Sequence, residues 1–191
     1  MTQLTILGNG AMGQAIAALA DRGGHTVQLL GRNDSATEVT GEIVVLAVPY
    51  GSISEIVAER GASLAGKIVV DITNPVNFET FDSLTVAADG SAAAEIAAAL
   101  PEARVVKAFN TTFAATLASG TVGDLSTTVL VAGDDAEAKA TLIEFVTSGG
   151  LRAIDAGGLR RARELESLGF LQLTLAAGEK IGWTGGFGVV A

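Results

Sequence analysis

The sequence predicts an α/β fold of the Rossmann type: a doubly wound parallel sheet with helices on both faces, followed by a C-terminal helical extension. Short segments rich in β-branched residues alternate with alanine-rich segments that have helical spacing. Several of the short segments are apolar on both faces, as expected of strands that helices cover on each side. Strand–helix–strand repeats of this kind form right-handed crossovers and a parallel sheet.

The predicted elements follow one another along most of the chain. We predict strands at Leu4–Leu7, Thr26–Leu30, Ile43–Val48, Ile68–Ile72, Arg104–Phe109, Thr128–Ala132 and Arg152–Ile154. The spacing of apolar residues predicts helices at Ala11–Asp21, Ser91–Leu100, Asp135–Thr147 and Leu159–Ala177. The segment between Leu30 and Ile43 is short and polar, so we expect a turn or no helix there.

A length of 191 residues fits one domain with one full hydrophobic core. We assign residues 1–157 to the main domain and residues 158–191 to a C-terminal helix and tail. A segment as short as this tail cannot bury its own apolar side chains, which include Leu165, Leu168, Phe170 and Leu171. We therefore expect it to pack on the main domain and on a second copy of the chain in a homodimer.

Composition excludes several classes of function. A net charge of −9 has the wrong sign for general binding to nucleic acid or to anionic membranes. The chain has no cysteine and a single histidine, which excludes disulfides, thiolate metal sites and multi-histidine metal sites. No apolar run is long enough to cross a bilayer. The first residues lack the basic and apolar segments of a signal peptide, so we expect a cytoplasmic protein.

A glycine motif follows the first predicted strand. Gly8-Asn9-Gly10-Ala11-Met12-Gly13 matches G-x-G-x-x-G, with a strand ending at Gly8 and a helix starting directly after Gly10. In this context the first glycine makes a tight turn, the second lets backbone amides approach a pyrophosphate, and the third lets the helix lie close to the strand. The phosphates then sit at a helix N-terminus, which favours anions. The motif predicts a dinucleotide site.

The end of the second strand favours NADP over NAD. An NAD site carries an Asp or Glu there to bind the ribose hydroxyls. This strand instead leads into Gly31-Arg32-Asn33, which places a guanidinium where a 2′-phosphate can be bound through two hydrogen bonds. Asp34 follows closely and can weaken that contact. We predict that Gly31, Arg32 and Asn33 bind the adenosine end of NADP.

Further candidate residues follow the third, fourth and fifth strands, because ligands of such sheets bind beyond the carboxyl ends of strands. Proline fixes the backbone and shapes a wall, whereas asparagine offers neutral hydrogen bonds. An Asn-Pro pair is also typical of a plain turn. The candidates are Val48, Pro49, Ser52, Asn74, Asn77, Asn110 and Phe113.

Acid–base machinery is not visible in the sequence. We find no Ser-His-Asp set, because His25 lies in a turn away from the ligand edge, and no carboxylate pair at these strand ends. Chemistry that needs little proton transfer by the enzyme fits best, such as hydride transfer between two bound cofactors. We therefore predict no catalytic side chain and no metal.

At these residues the sequence resembles a known family, the NADPH-dependent reductases of the deazaflavin coenzyme F-420. The resemblance extends over nearly the whole chain, and the order of the similar stretches is more specific than any one motif. The stretches are Ile6–Gly13, Val45–Pro49, Ser91–Ile96, Val105–Thr111, Ala132–Asp135, Gly150–Gly157 and Glu166–Leu168. The sequence departs from the family between Arg32 and Glu42, where members usually carry a longer helical segment.

The resemblance implies reversible hydride transfer between NADPH and coenzyme F-420, with the two rings stacked in one cleft of a dimeric enzyme. It implies that the Gly8–Gly13 loop and Gly31-Arg32 hold NADP. By the same likeness Val48, Ser52, Asn74, Asn77 and Phe113 line the shared cleft. Two alternatives stay open. One is an NADPH-dependent reductase of another small acceptor, namely a flavin, a ferric chelate or an imine; the other is a non-catalytic NADP(H)-binding redox sensor.

Overall fold

The computed structural model describes residues 1–190 and contains one seven-stranded sheet with the strand order β2-β1-β3-β4-β5-β8-β9. Two further strands form a small hairpin. The strands are β1 (Gln3–Leu7), β2 (Thr26–Leu30), β3 (Ile43–Leu46), β4 (Ile68–Asp71), β5 (Arg104–Lys107), β6 (Thr121–Val122), β7 (Leu125–Ser126), β8 (Thr128–Gly133) and β9 (Arg152–Gly157). The helices are α1 (Ala11–Arg22), α2 (Ile53–Arg60), α3 (Ala92–Ala99), α4 (Ala114–Ser119), α5 (Ala136–Ser148) and α6 (Ala162–Ala177).

The first five strands of the sheet run parallel, which confirms the predicted Rossmann-like class. β1 lies between β2 and β3, so the chain proceeds from β1 to one side of the sheet and then returns to the other. Such a reversal of strand order leaves a crevice at the carboxyl ends of the strands, where ligands of open α/β sheets bind. The fold therefore places the ends of β1 and β3 at a ligand-binding position.

The sheet departs from the predicted parallel arrangement at one edge, where β8 pairs antiparallel with β5 and β9 runs parallel to β8. The connection between β5 and β8 carries only the six-residue helix α4 and the β6–β7 hairpin. Antiparallel neighbours do not need a full crossover helix, so this short connection is sufficient.

The core lies on both faces of the sheet, in two clusters of buried side chains. β3 illustrates the prediction of two-sided burial, because Ile43 and Val45 enter one cluster and Val44 and Leu46 the other. The expectation for the segment after β2 is also confirmed, since it contains only a short 3₁₀ turn at Arg32–Asp34. Helices therefore cover the sheet while this segment remains a loop.

The predicted C-terminal helix is present as α6, preceded by a 3₁₀ turn at Leu159–Arg161. α6 packs against α3, and the tail after it returns towards β9, where the Arg152 guanidinium donates to the Val189 carbonyl oxygen (3.2 Å). Ala191, the last residue of the predicted tail, lies outside the described residues. Among residues 1–190, no helix combines the length and the hydropathy of a membrane span.

Candidate nucleotide-binding site

A cavity of about 590 Å³ opens at the carboxyl ends of β1, β2 and β3. Its volume is within the range of about 300–1,000 Å³ that small-molecule sites occupy. Eight of the predicted site residues line it together: Gly8, Asn9, Gly10, Gly31, Arg32, Val48, Pro49 and Ser52. The fold thus brings three separate stretches of sequence to one concave surface.

The glycine turn has the geometry that the motif requires. Gly8 has a φ of +117°, and a Cβ atom there would lie 2.0 Å from the Ala47 carbonyl oxygen. A Cβ on Gly13 would lie 2.0 Å from the Gly8 carbonyl oxygen, so helix and turn are in contact at that point. A Cβ on Gly10, in contrast, would have no protein atom within 4 Å. The turn therefore leaves open space at the position where a pyrophosphate approaches the backbone.

The N-terminus of α1 is suited to bind an anion. Gly10 is its N-cap, no side chain caps the helix, and its first turn contains no acidic residue. The first backbone N–H groups of a helix have no partner within it, and here they belong to Ala11, Met12 and Gly13. Together with the helix dipole these amides favour a phosphate group. The Met12 side chain packs against the core, so only its backbone is available.

The turn after β2 folds its carboxylate back onto its own backbone. Asp34 Oδ2 accepts a hydrogen bond from the Gly31 N–H (2.8 Å), while the side chains of Arg32 and Asn33 are exposed. This hydrogen bond holds the Asp34 carboxylate against the backbone of the turn, where it keeps its negative charge. Arg32 lines the cavity and Asn33 follows it in the turn.

One wall of the cavity was not anticipated from the sequence. α2 contributes Glu55, Ile56, Glu59 and Arg60 to the lining. The spacing of Ile53, Ile56 and Val57 is the sequence signal from which this short helix could have been found.

Four further predicted residues, Asn74, Asn77, Asn110 and Phe113, follow the carboxyl ends of β4 and β5 and lie outside the lining of this cavity. Asn74 Nδ2 donates to the Asn110 carbonyl oxygen (2.9 Å), and Asn110 Nδ2 donates to Asn74 Oδ1 (2.9 Å) and to the Leu165 carbonyl oxygen (2.8 Å). Asn110 Oδ1 is buried and has no hydrogen-bond partner. These two side chains therefore join two loops to α6.

Asn77 and Phe113 also have local partners. Asn77 Oδ1 accepts hydrogen bonds from the backbone N–H groups of Glu79 and Thr80, which makes a turn. The Phe113 ring is buried and lies against the Trp183 ring of the tail, with 5.1 Å between centroids. The tail thus covers this part of the strand ends.

The expectation that no carboxylate pair lies at these strand ends is wrong. Asp71 ends β4, Lys107 ends β5, and Glu166 reaches them from α6. Lys107 Nζ lies 2.7 Å from Asp71 Oδ2 and 2.8 Å from Glu166 Oε1, and all three side chains have zero exposure. Glu166 is distant in sequence and sits inside an amphipathic helix, so no local pattern marks it as a partner.

The surroundings of this buried triad, Asp71, Lys107 and Glu166, are also polar. Glu166 accepts hydrogen bonds from the N–H groups of Ala92 and Ala93 at the start of α3, and Lys107 donates to the Thr73 carbonyl oxygen (2.6 Å). Burial raises the pKa of Glu166 above its ordinary value, and the Lys107 ammonium opposes that rise. The triad therefore connects the sheet, α3 and α6 through one charge network.

Tyr50 lies between the cavity and this buried region. Its neighbours Pro49 and Ser52 line the cavity, and its hydroxyl donates to Glu95 Oε2. Burial, followed by the hydrogen bond and the charge of Glu95, raises the pKa of Tyr50 to about 12. The phenol is therefore held in its neutral form.

Comparison with known proteins shows similarity to NADP oxidoreductases that depend on coenzyme F-420. The family model described as NADP oxidoreductase, coenzyme F-420-dependent, matches residues 27–75, which run from β2 past the end of β4. The F-420-dependent NADP reductase of Methanocaldococcus jannaschii is 31% identical over 149 residues, covering 76% of this chain and 66% of the relative. The chain is therefore similar to the F-420-dependent NADP reductases, and it spans just under two thirds of the length of this relative.

Two further similar proteins are informative. A crystal structure of a candidate F-420-dependent NADP-reductase from Arthrobacter sp. FB24 superposes with a TM-score of 0.85 at 28% identity and covers both chains completely. The metalloreductase STEAP3 of Rattus norvegicus is 32% identical over 178 residues, or 85% of this chain. The chain spans only 35% of the length of that rat protein.

Proposed function

We propose that the chain is an NADP-dependent oxidoreductase that transfers a hydride reversibly between NADPH and the deazaflavin coenzyme F-420. One observation carries the proposal: a single cavity joins the Gly8–Gly10 turn, the Gly31-Arg32 turn and the end of β3. Similarity to the F-420-dependent NADP reductases supports F-420 as the second substrate.

The residues present fit NADP. We assign the pyrophosphate to the Gly8–Gly13 turn, because Gly10 leaves open space and the first turn of α1 offers free amides. We assign the adenosine 2′-phosphate to Arg32, with Asn33 beside it, because a guanidinium binds phosphate through two hydrogen bonds. Val48, Pro49 and Ser52 line the same cavity after the end of β3.

We assign the shared cleft of the two rings to the ends of β4 and β5, near Asn74, Asn77, Asn110 and Phe113. When bound, NADPH supplies the hydride. The role of the chain is to hold the two rings in contact and to exclude water, and positioning of this kind can supply about 7–11 kcal/mol of a barrier. The rigid pair of Asn74 and Asn110 and the cover of Trp183 over Phe113 support such a role.

We further propose that the protein works as a homodimer in the cytoplasm, as the sequence predicts. Leu171 on α6 and Trp183 and Phe187 in the tail are large apolar side chains with 44–53% exposure. Exposed apolar patches of this kind mark interaction surfaces. Light scattering that gives twice the mass of 19.2 kDa would support the dimer, and a monomeric mass would contradict it.

A second candidate function is NADPH-dependent reduction of a ferric chelate. It is favoured by the similarity to the rat metalloreductase, which extends over more of this chain than the similarity to the Methanocaldococcus enzyme. The same cavity serves this reaction, since only the acceptor differs.

The test is to mix the protein with NADPH and oxidised coenzyme F-420 and to follow the absorbance of both. We expect both to fall together. Turnover only with a ferric chelate, a flavin or an imine supports a reductase of another acceptor, and tight NADPH binding without turnover supports a redox sensor.

A pair of arginine variants tests the assignment of the 2′-phosphate. Arg32→Ala should raise the KM for NADPH with little change in NADH use. Arg160→Ala, an exposed arginine outside the cavity, should change neither.

A further inference from the structure

Arg60 connects the wall of the cavity to the turn that carries Arg32. It is the last residue of α2 and lines the nucleotide cavity. Its guanidinium donates two hydrogen bonds to the turn after β2, from Nη1 to the Thr37 carbonyl oxygen (2.7 Å) and from Nη2 to the Asp34 carbonyl oxygen (2.5 Å). A side chain of one cavity wall therefore holds the backbone of another.

The turn after β2 depends on such support. Its only regular structure is the three-residue 3₁₀ turn Arg32–Asp34, and residues 35–38 after it are exposed. The internal backbone bonds of the turn run from Asp34 N–H to the Gly31 carbonyl and from Thr37 N–H to the Asp34 carbonyl. A loop with few buried contacts fluctuates, and Arg32 moves with it.

We propose that Arg60 is a positioning residue for NADP specificity, acting through Arg32. By holding the Asp34 and Thr37 carbonyls it fixes the turn in the form that aims the Arg32 guanidinium at the adenosine 2′-phosphate. This inference rests on the proposed function, because it takes NADP as the cofactor. It goes beyond that function in placing a second determinant on α2, which follows β3 and not β2.

The chemistry of the side chain explains why an arginine stands here. The planar guanidinium presents donors in a fixed fork, so two carbonyl oxygens can be held at once with little loss of conformational entropy. NADH lacks the 2′-phosphate and does not need Arg32 to be aimed. Loss of Arg60 should therefore weaken NADPH binding selectively.

The experiment measures the dissociation constants of NADPH and NADH, and of adenosine 2′,5′-bisphosphate as a probe of the adenosine end alone. For Arg60→Ala we expect about a tenfold weaker binding of NADPH and of the bisphosphate, as for loss of one charge-assisted contact, and less than about a twofold change for NADH. Arg60→Lys should recover part of the preference, because an ammonium can still donate to one carbonyl. Arg104→Ala is the matched control, since Arg104 donates to the Gly66 carbonyl outside the cavity.

A double-mutant cycle tests whether Arg60 acts through Arg32. In an Arg32→Ala background, Arg60→Ala should have little further effect on NADPH binding, because the group that it positions is gone. Additive losses, or equal losses for NADPH and NADH in the single variant, would overturn the inference. A wild-type protein without preference for NADPH would instead contradict the cofactor assignment of the proposed function, so the two failures are distinguishable.

Discussion

The two halves of the ligand edge are built in different ways. At the ends of β1, β2 and β3 the chain forms an open cavity from glycine turns, exposed polar side chains and one helix N-terminus. At the ends of β4 and β5, where we also assign the cleft of the two rings, it buries the triad of Asp71, Lys107 and Glu166, and we call this half the sealed half after that triad. The open half offers backbone amides and exposed polar side chains to a ligand, whereas the charged side chains of the buried triad bind one another.

This difference explains why only the open half has a recognisable sequence pattern. A site made of backbone amides requires glycine at fixed spacing, and that requirement is local in sequence. A sealed ion network requires only that three side chains meet, and here they come from positions 71, 107 and 166. The glycine turn can therefore be recognised from one stretch of sequence, whereas the ion network can be recognised only in the folded structure.

The largest expected effect comes from breaking the sealed half. Lys107→Met removes the cation between Asp71 and Glu166 and leaves two buried carboxylates without compensation. Removal of one member of a buried ion network costs about 3–5 kcal/mol, so we expect a loss of that size in the free energy of unfolding in urea. A change below about 1 kcal/mol would show that the triad contributes no more than a surface pair.

A pair of glycine variants separates folding from binding in the open half. Gly13→Ala places a Cβ against the Gly8 carbonyl oxygen and should cost about 1–3 kcal/mol of stability, as overpacking does. Gly10→Ala meets no protein atom within 4 Å and should leave the melting temperature unchanged. It should nevertheless weaken NADPH binding about tenfold or more, because the methyl group occupies the approach of the pyrophosphate. If Gly10→Ala bound NADPH with wild-type affinity, the assignment of the pyrophosphate to this turn would be wrong.

The boundary between the halves can be probed through Tyr50, the only tyrosine of the chain. Burial and Glu95 disfavour the tyrosinate, so the near-ultraviolet absorbance should titrate with a midpoint at about 12 and not at the ordinary 10.0. Glu95→Gln removes the negative charge and should lower the midpoint. The chain unfolded in urea is the control and should titrate at the ordinary value. An ordinary midpoint in the folded protein would mean that Tyr50 is solvated.

Much of the fold could be predicted from sequence because its signals are local. The two-sided apolar strand at Ile43–Leu46 and the helical spacing of α1 and α5 are periodic patterns. The direction of β8 could not be predicted, since its pairing with β5 depends on the short connection through α4 and the hairpin. The direction of a strand depends on the path of the segment that connects it to its neighbour, and the residue pattern within the strand does not indicate that path.

The same distinction applies to the candidate site. The glycine turn and Gly31-Arg32 were predicted because they follow strands whose ends meet at the switch point. Arg60 was missed because its guanidinium binds carbonyl groups of a turn about two dozen residues earlier in the chain. An arginine in a sequence does not indicate which backbone carbonyls its side chain will bind. Asn74 and Asn110 were predicted as ligand residues from type and place, and their hydrogen bonds to each other appear only in the structure.

The smallest expected effect comes from a partly exposed ion pair, Lys139 and Asp155, which we compare with the buried triad. Lys139 Nζ lies 2.8 Å from Asp155 Oδ2, with side-chain exposures of 13% and 49%. The hydrogen bond from Lys139 lowers the pKa of Asp155 below its ordinary 3.8, so this stabilisation is present above that pH and is lost as the pH falls through the lowered value. We expect Asp155→Asn to cost less than about 1 kcal/mol at neutral pH, with the difference vanishing in acid and shrinking at high salt. A loss as large as that of Lys107→Met would show that burial does not decide the strength of ion pairs in this molecule.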